Sequence, residues 1–148
     1  MPKKEIAIVI HEGVQALDVA GPLDVFAEAN GFLPPDVGYR CLLVAERTAP
    51  IAASNGMMLA AHLSFAEATR PFDTMLVAGG PALPDAPADE TMSRWLRSHG
   101  ARARRYGSIC TGTFALGHAG LLDSRTVTTH WQNAARLAAR FPRCPGRA

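Results

Sequence analysis

Three segments of strand length, each ending in an unbroken apolar run, punctuate the chain: Glu5-Ile-Ala-Ile-Val-Ile10, Tyr39-Arg-Cys-Leu-Leu-Val-Ala45 and Phe72-Asp-Thr-Met-Leu-Val-Ala78. Continuous rather than alternating apolar residues are the form of parallel strands covered on both faces. Between them the period changes. Leu23, Val25, Phe26 and Ala29 make a helical stripe, with Pro22 near its start and Asn30-Gly31 closing it. From Glu90 to Arg105 a helix is expected, with Met92, Trp95, Leu96 and Ala103 inward and the arginines outward. A final helix is expected over 131–140, with Trp131, Ala134, Ala135 and Ala138 as its apolar side. Smaller pieces fill the gaps. Residues 50–61 read as two extended pieces around Asn55-Gly56, Leu63–Ala68 as one or two helical turns, and Thr126–Thr129 as a short strand. Strands alternating with helices predict an α/β domain with a parallel sheet and helices on both faces.

The 148 residues suit one domain with a sizeable core. A net charge of +2 with 19% charged residues indicates neither a nucleic-acid binder nor a disordered tail. Arg94, Arg97, Arg102, Arg104 and Arg105 crowd one segment, which reads as a solvated helix face in preference to a phosphate-binding patch. No run of about 18 apolar residues exists, so no membrane span is expected. The start Met-Pro-Lys-Lys-Glu leads straight into a strand without a signal-peptide pattern. Cys41, Cys110 and Cys144 lack metal-ligand spacing and leave an odd cysteine, which fits a reducing, cytoplasmic setting without metal or cofactor.

The chemistry concentrates in Tyr106-Gly-Ser-Ile-Cys110-Thr111-Gly112, followed by Phe114, Ala115, Leu116 and Ala119 at near-helical spacing. A strand, a sharp turn at Cys110 and a helix would form a nucleophile elbow with cysteine in the serine place. Free N–H groups at the helix start would favour the thiolate. The competing reading is a buried, inert cysteine before an ordinary helix. In a parallel sheet the ligand crevice lies beyond the carboxyl ends of the strands. Asp18, Gly79-Gly80 and Cys110 all follow strands and can face one such crevice. Thr111 N–H and Gly80 N–H could receive charge built up by thiolate attack, although Gly79-Gly80 would equally serve as a tight turn. Asp18 could hydrogen-bond the Cys110 sulfur, act as acid or base, or simply cap a helix. His130 could pair with the cysteine or sit satisfied at a helix start. His11, His62, His99 and His118 carry no argument.

Five pieces together resemble the ThiJ/PfpI branch of the class I glutamine amidotransferase-like superfamily: Leu17-Asp18-Val-Ala-Gly21-Pro22-Leu-Asp-Val-Phe26, Val77-Ala-Gly79-Gly80, Ser108-Ile-Cys110-Thr111-Gly112, Ala119-Gly-Leu-Leu-Asp123 and Thr128-Thr129-His130-Trp131. They span most of residues 5–142. The resemblance implies a flavodoxin-like doubly wound α/β sheet with a cysteine nucleophile elbow over residues 1–142, its C-terminal elements missing, and an atypical tail over 143–148. Domains of this branch run on for roughly another 40 to 60 residues, in keeping with usual domain size.

Two subgroups share the signature. One is the amidase-like domain of AraC-type transcriptional regulators; the other is isonitrile hydratase, whose functional aspartate, cysteine and threonine fall on Asp18, Cys110 and Thr111. The segment Arg102-Ala-Arg104-Arg105-Tyr-Gly-Ser-Ile-Cys-Thr-Gly-Thr-Phe114 looks more like the regulators. The expected function is therefore a small-molecule-sensing domain of such a regulator, without its DNA-binding part. A cysteine-dependent isonitrile hydratase or related hydrolase is the alternative. No recognition helix is offered, so direct nucleic-acid binding by this chain is not expected. A small-molecule ligand and a homodimer are the expected partners.

Overall fold

The computed structural model describes residues 3–144. Its frame is a five-stranded, all-parallel sheet built from β1 (Lys4–Val9), β2 (Tyr39–Ala45), β5 (Leu63–Ser64), β6 (Thr74–Val77) and β7 (Arg105–Ser108). The spatial order is β5-β2-β1-β6-β7, with β1 central. A separate antiparallel hairpin joins β3 (Ile51–Ala52) to β4 (Met58–Leu59) around the expected Asn55-Gly56 turn.

The period-two geometry of β1 and β2 explains why their runs are unbroken. Ala7, Val9, Leu42 and Val44 face one core, packed on α2 (Glu90–Gly100), α3 (Thr113–His118) and α4 (Ala134–Arg140) through Trp95, Leu96, Phe114, Leu116 and Leu137. Ile6, Ile8, Ile10, Leu43 and Ala45 face the other, packed on Val19, Leu23 and Phe26 of α1 (Ala16–Asn30) and on the hairpin. Both faces are apolar because both are covered.

Several boundaries differ from the sequence expectation. Helix α1 begins at Ala16, so Pro22 lies inside it rather than near its start. Asp18 is in its first turn and is not a cap; Gln15 holds that position. Leu63-Ser64 pairs with β2 as an edge strand instead of opening a helix. Ser64 and Glu67 do make the reciprocal bonds of a capping box, but the chain turns away before Pro71. Helix α2 ends at Gly100, and Arg105 already belongs to β7. Thr126–Thr129 forms only a single bridge at Val127 rather than a strand. The last helix starts with a 3-10 turn over Trp131–Asn133, and its inward side chain is Leu137. Trp131 is 78% exposed, and Ala135 and Ala138 also face solvent. Of the expected tail, residues 145–148 lie outside the described residues. Among the described residues no helix is long and apolar enough to cross a membrane.

Candidate functional site

Cys110 stands where β7 gives way to a helix. Its φ is +52°, and among the described non-glycine residues only Ser124 shares a positive φ. Such a conformation costs on the order of 1–3 kcal/mol and persists only where its surroundings hold it. The holding contacts are visible. The Cys110 carbonyl accepts hydrogen bonds from the Thr113 hydroxyl at 3.2 Å and the Thr129 hydroxyl at 3.0 Å. A 3-10 turn over Cys110–Gly112 leads into α3. Gly112 is required there, because a Cβ would run into the Val77 carbonyl. Cys110 is partly buried, and no hydrogen bond joins its sulfur to another described residue.

Asp18 is 9% exposed and reaches across from α1 to the turn after β6, where its Oδ2 accepts the Gly79 N–H at 3.0 Å. Burial pushes its carboxyl above the ordinary range, opposed by the Gly79 hydrogen bond and by the charges of His11 and His130. Thr111 is the third member. Its hydroxyl accepts the Gly80 N–H at 2.9 Å and donates to the Gly80 carbonyl at 2.8 Å. These groups converge tightly. A Cβ placed on Gly79 would lie 2.5 Å from Asp18 Oδ2 and 2.9 Å from both the N and the Oγ1 of Thr111. Glycine at 79 is what lets a carboxylate and a helix start approach one point.

The structure thus brings Asp18, Gly79, Gly80 and Thr111 together at the carboxyl ends of β6 and β7. It also corrects the expected donor pair. The Gly80 N–H is committed to the Thr111 hydroxyl and the Gly79 N–H to Asp18, because a buried N–H finds an acceptor. Of these three amides only Thr111 N–H has no acceptor among the described residues. His130 lies within electrostatic reach of Asp18, but its Nδ1 accepts the Gln132 N–H at 3.4 Å and starts the 3-10 turn. It makes no hydrogen bond to Cys110.

His11 is the residue that sequence reasoning passed over. It follows the central strand, donates from Nε2 to the Ala78 carbonyl at 3.0 Å, and lies against Gly80, where an added Cβ would meet its ring at 2.9 Å. Its place just past the carboxyl end of an apolar run was the available signal. His11, Gly80 and His118 also line a cavity of about 210 Å³ whose remaining walls are mainly apolar, with Leu83, Met92 and Ala115 among them. Among the described residues no group of three or more His, Cys, Asp or Glu is placed to hold a metal ion.

Comparison with known proteins places this geometry in context. Residues 4–141 match the DJ-1/PfpI family. An uncharacterized protein in the cpoL 5' region of Streptomyces lividans is 40% identical over 137 residues, covering 93% of this chain and 94% of that protein. Isonitrile hydratase from Pseudomonas putida is 36% identical over 127 residues, 86% of this chain but 52% of the hydratase, so the chain spans about half of that relative. The transcriptional regulator GbdR from Pseudomonas aeruginosa matches over a shorter stretch, 35% over 71 residues, 48% of this chain and 19% of the regulator. Among solved structures, a ThiJ/PfpI family protein from Pseudomonas syringae superposes with a TM-score of 0.85 at 27% identity, over all of this chain and 58% of that one.

Proposed function

Since the chain belongs to the DJ-1/PfpI family, we propose that Cys110 is the nucleophile of a small-molecule site and that its reaction is hydration of an isonitrile to an N-substituted formamide. The observation that carries this reading is Cys110 at φ +52° on a strand-to-helix turn, next to the point where Asp18 and Thr111 converge. Support for the substrate class comes from the hydratase, which aligns over most of this chain, whereas GbdR aligns over less than half of it. The balance therefore favours the alternative over the regulator-domain expectation.

The chemistry closes on this chain's own residues. The Cys110 thiolate bonds to the terminal isonitrile carbon, and that carbon takes a proton from the Asp18 carboxylic acid. The product is a thioimidate, R–N=CH–S–Cys. Asp18, now a carboxylate, removes a proton from water as the water oxygen adds to the same carbon. Negative charge developing on nitrogen is met by the Thr111 N–H, and the nitrogen then takes the proton from Asp18. Asp18 next accepts the hydroxyl proton, the carbonyl forms and the carbon–sulfur bond breaks. Formamide leaves, with thiolate and carboxylic acid restored. A carboxyl raised by burial suits this acid and base duty.

Formamide production from a small alkyl isonitrile tests the proposal. Turnover by the wild type and its loss in Cys110→Ala, by about 100-fold or more, is the expected result. No turnover by the wild type would remove the hydratase reading. One observation favours a second reading, a binding domain that senses a small metabolite: no described base contacts the Cys110 sulfur. Saturable ligand binding without turnover would favour that reading.

A further inference from the structure

Between the end of the central strand and the start of α2 lies the cavity of about 210 Å³, which the proposed reaction does not use. Neither Cys110, Asp18 nor Thr111 lines it, and all of its lining residues fall within 11–118. Its walls are pinned. Leu83 N–H donates to the Gly80 carbonyl and Ala86 N–H to the Ala82 carbonyl. Arg140 of α4 holds the same loop from outside, donating to the Pro84 carbonyl at 2.6 Å, the Ala86 carbonyl at 3.0 Å and His118 Nε2 at 3.3 Å. The space is therefore shaped in advance, as small-molecule sites usually are. Its surface is mainly apolar, from Leu83, Met92 and Ala115. An apolar cavity of about 150 Å³ takes up benzene, so this one suits a ring with a short substituent.

Three polar side chains select the substituent. Ser93 is 4% exposed and lies on the cavity wall, yet its hydroxyl has no hydrogen-bond partner among the described residues. Buried hydroxyls ordinarily have one, so a bound group is the natural partner. Asp89 stands one turn earlier on the same side of α2, and its carbonyl accepts the Ser93 N–H at 2.8 Å. One Asp89 oxygen caps α2 by accepting the Met92 N–H at 2.9 Å; the other has no partner among the described residues. Glu12 is similar, with Oε1 on the Ala52 N–H at 3.2 Å and Oε2 unpartnered among the described residues. Both acidic residues are exposed, which puts their carboxylates at the mouth, and no lysine or arginine lines the cavity. We propose that this cavity binds a small primary ammonium ion that carries an apolar ring. The ring fills the apolar space. The ammonium sits at the mouth and donates to the Ser93 hydroxyl and to the remaining oxygens of Asp89 and Glu12. The two carboxylates disfavour an anion of the same shape. This site is separate from the Cys110 reading and stands or falls without it.

The test titrates the full chain with three probes of one shape, benzylamine, benzyl alcohol and benzoate. Calorimetry gives binding, and amide chemical shifts locate it. Expected are saturable binding of benzylamine, about tenfold or more tighter than benzyl alcohol, no saturable binding of benzoate, and the largest shifts at Ser93, Ala115 and His118. Asp89→Asn keeps an acceptor for the α2 cap, and with Glu12→Gln it removes both charges at exposed positions that leave the fold intact. This double variant should bind benzylamine about tenfold more weakly and benzyl alcohol as wild type does. Ser93→Ala should weaken benzylamine by about fivefold. Absence of saturable benzylamine binding overturns the proposal, as do shifts centred on Cys110 and Asp18. Equal affinity for benzyl alcohol, a preference for benzoate, or variants that bind benzylamine like wild type overturn the assignment of the ammonium.

Discussion

Replacing Thr111 by valine isolates the contact that joins the glycine turn to the helix start. Valine keeps the shape of threonine and removes the hydroxyl, which accepts the Gly80 N–H at 2.9 Å and donates to the Gly80 carbonyl at 2.8 Å. The two losses are unequal. The Gly80 carbonyl keeps the Leu83 N–H as a donor at 3.2 Å, whereas the buried Gly80 N–H keeps nothing. One orphaned buried donor costs about 1–3 kcal/mol. For a chain of this length about 2 kcal/mol lowers Tm by roughly 6 °C. Thr111→Ser retains both bonds and should lose much less. Thermal unfolding followed by circular dichroism separates the three proteins. A valine variant within about 1 °C of wild type, or a serine variant as unstable as the valine one, refutes the reasoning. The valine variant should also alter ligand or isonitrile handling, because the Gly80 N–H is then free at the crevice.

Other expectations follow from the same neighbourhood. Gly79→Ala forces a methyl to 2.5 Å from Asp18 Oδ2 and should destabilise by about 1–3 kcal/mol, checked by urea unfolding. Gly21→Ala, on α1 with nothing within 4 Å of the added methyl, should instead stabilise by about 0.5–1 kcal/mol. Burial raises the Asp18 carboxyl, so its contribution to stability is complete below the ordinary carboxylate range and is lost as pH rises through the raised value. Asp18→Asn keeps an acceptor for Gly79 N–H without the charge. It should therefore be more stable than wild type at neutral pH, with the advantage gone by about pH 3.5 in denaturant titrations at both pH values.

The sheet was legible because its strands are covered on both faces, which makes Ile6–Ile10 and Leu42–Ala45 unbroken apolar runs. Helix boundaries were less so. Pro22 read as a helix start, yet it sits within α1, where burial of Ala16, Asp18 and Val19 carries the helix back past it. Trp131 read as core by its chemistry, but the short α4 turns Leu137 inward instead and leaves the indole in solvent. At the site, Asp18, Thr111 and the glycine pair were legible as residues that follow strands. Their bonding was not. That the Thr111 hydroxyl takes the Gly80 N–H depends on how closely β6 and β7 deliver their ends, which spacing along the chain does not encode. His11 went unseen for the same reason, since the Ala78 carbonyl that its Nε2 meets comes from the turn after β6, 67 residues away along the chain.

The central claim is that Cys110 is the reactive thiol of this chain, and limiting iodoacetamide followed by intact mass and peptide mapping tests it most directly. Burial pushes the Cys41 and Cys144 thiols up, so both hold little thiolate near neutral pH, and the Cys144 Sγ also donates to the Arg125 carbonyl at 3.1 Å. The account predicts that the first carbamidomethyl group lands on Cys110. Equal labelling of all three cysteines, or first labelling of Cys41 or Cys144, would contradict it.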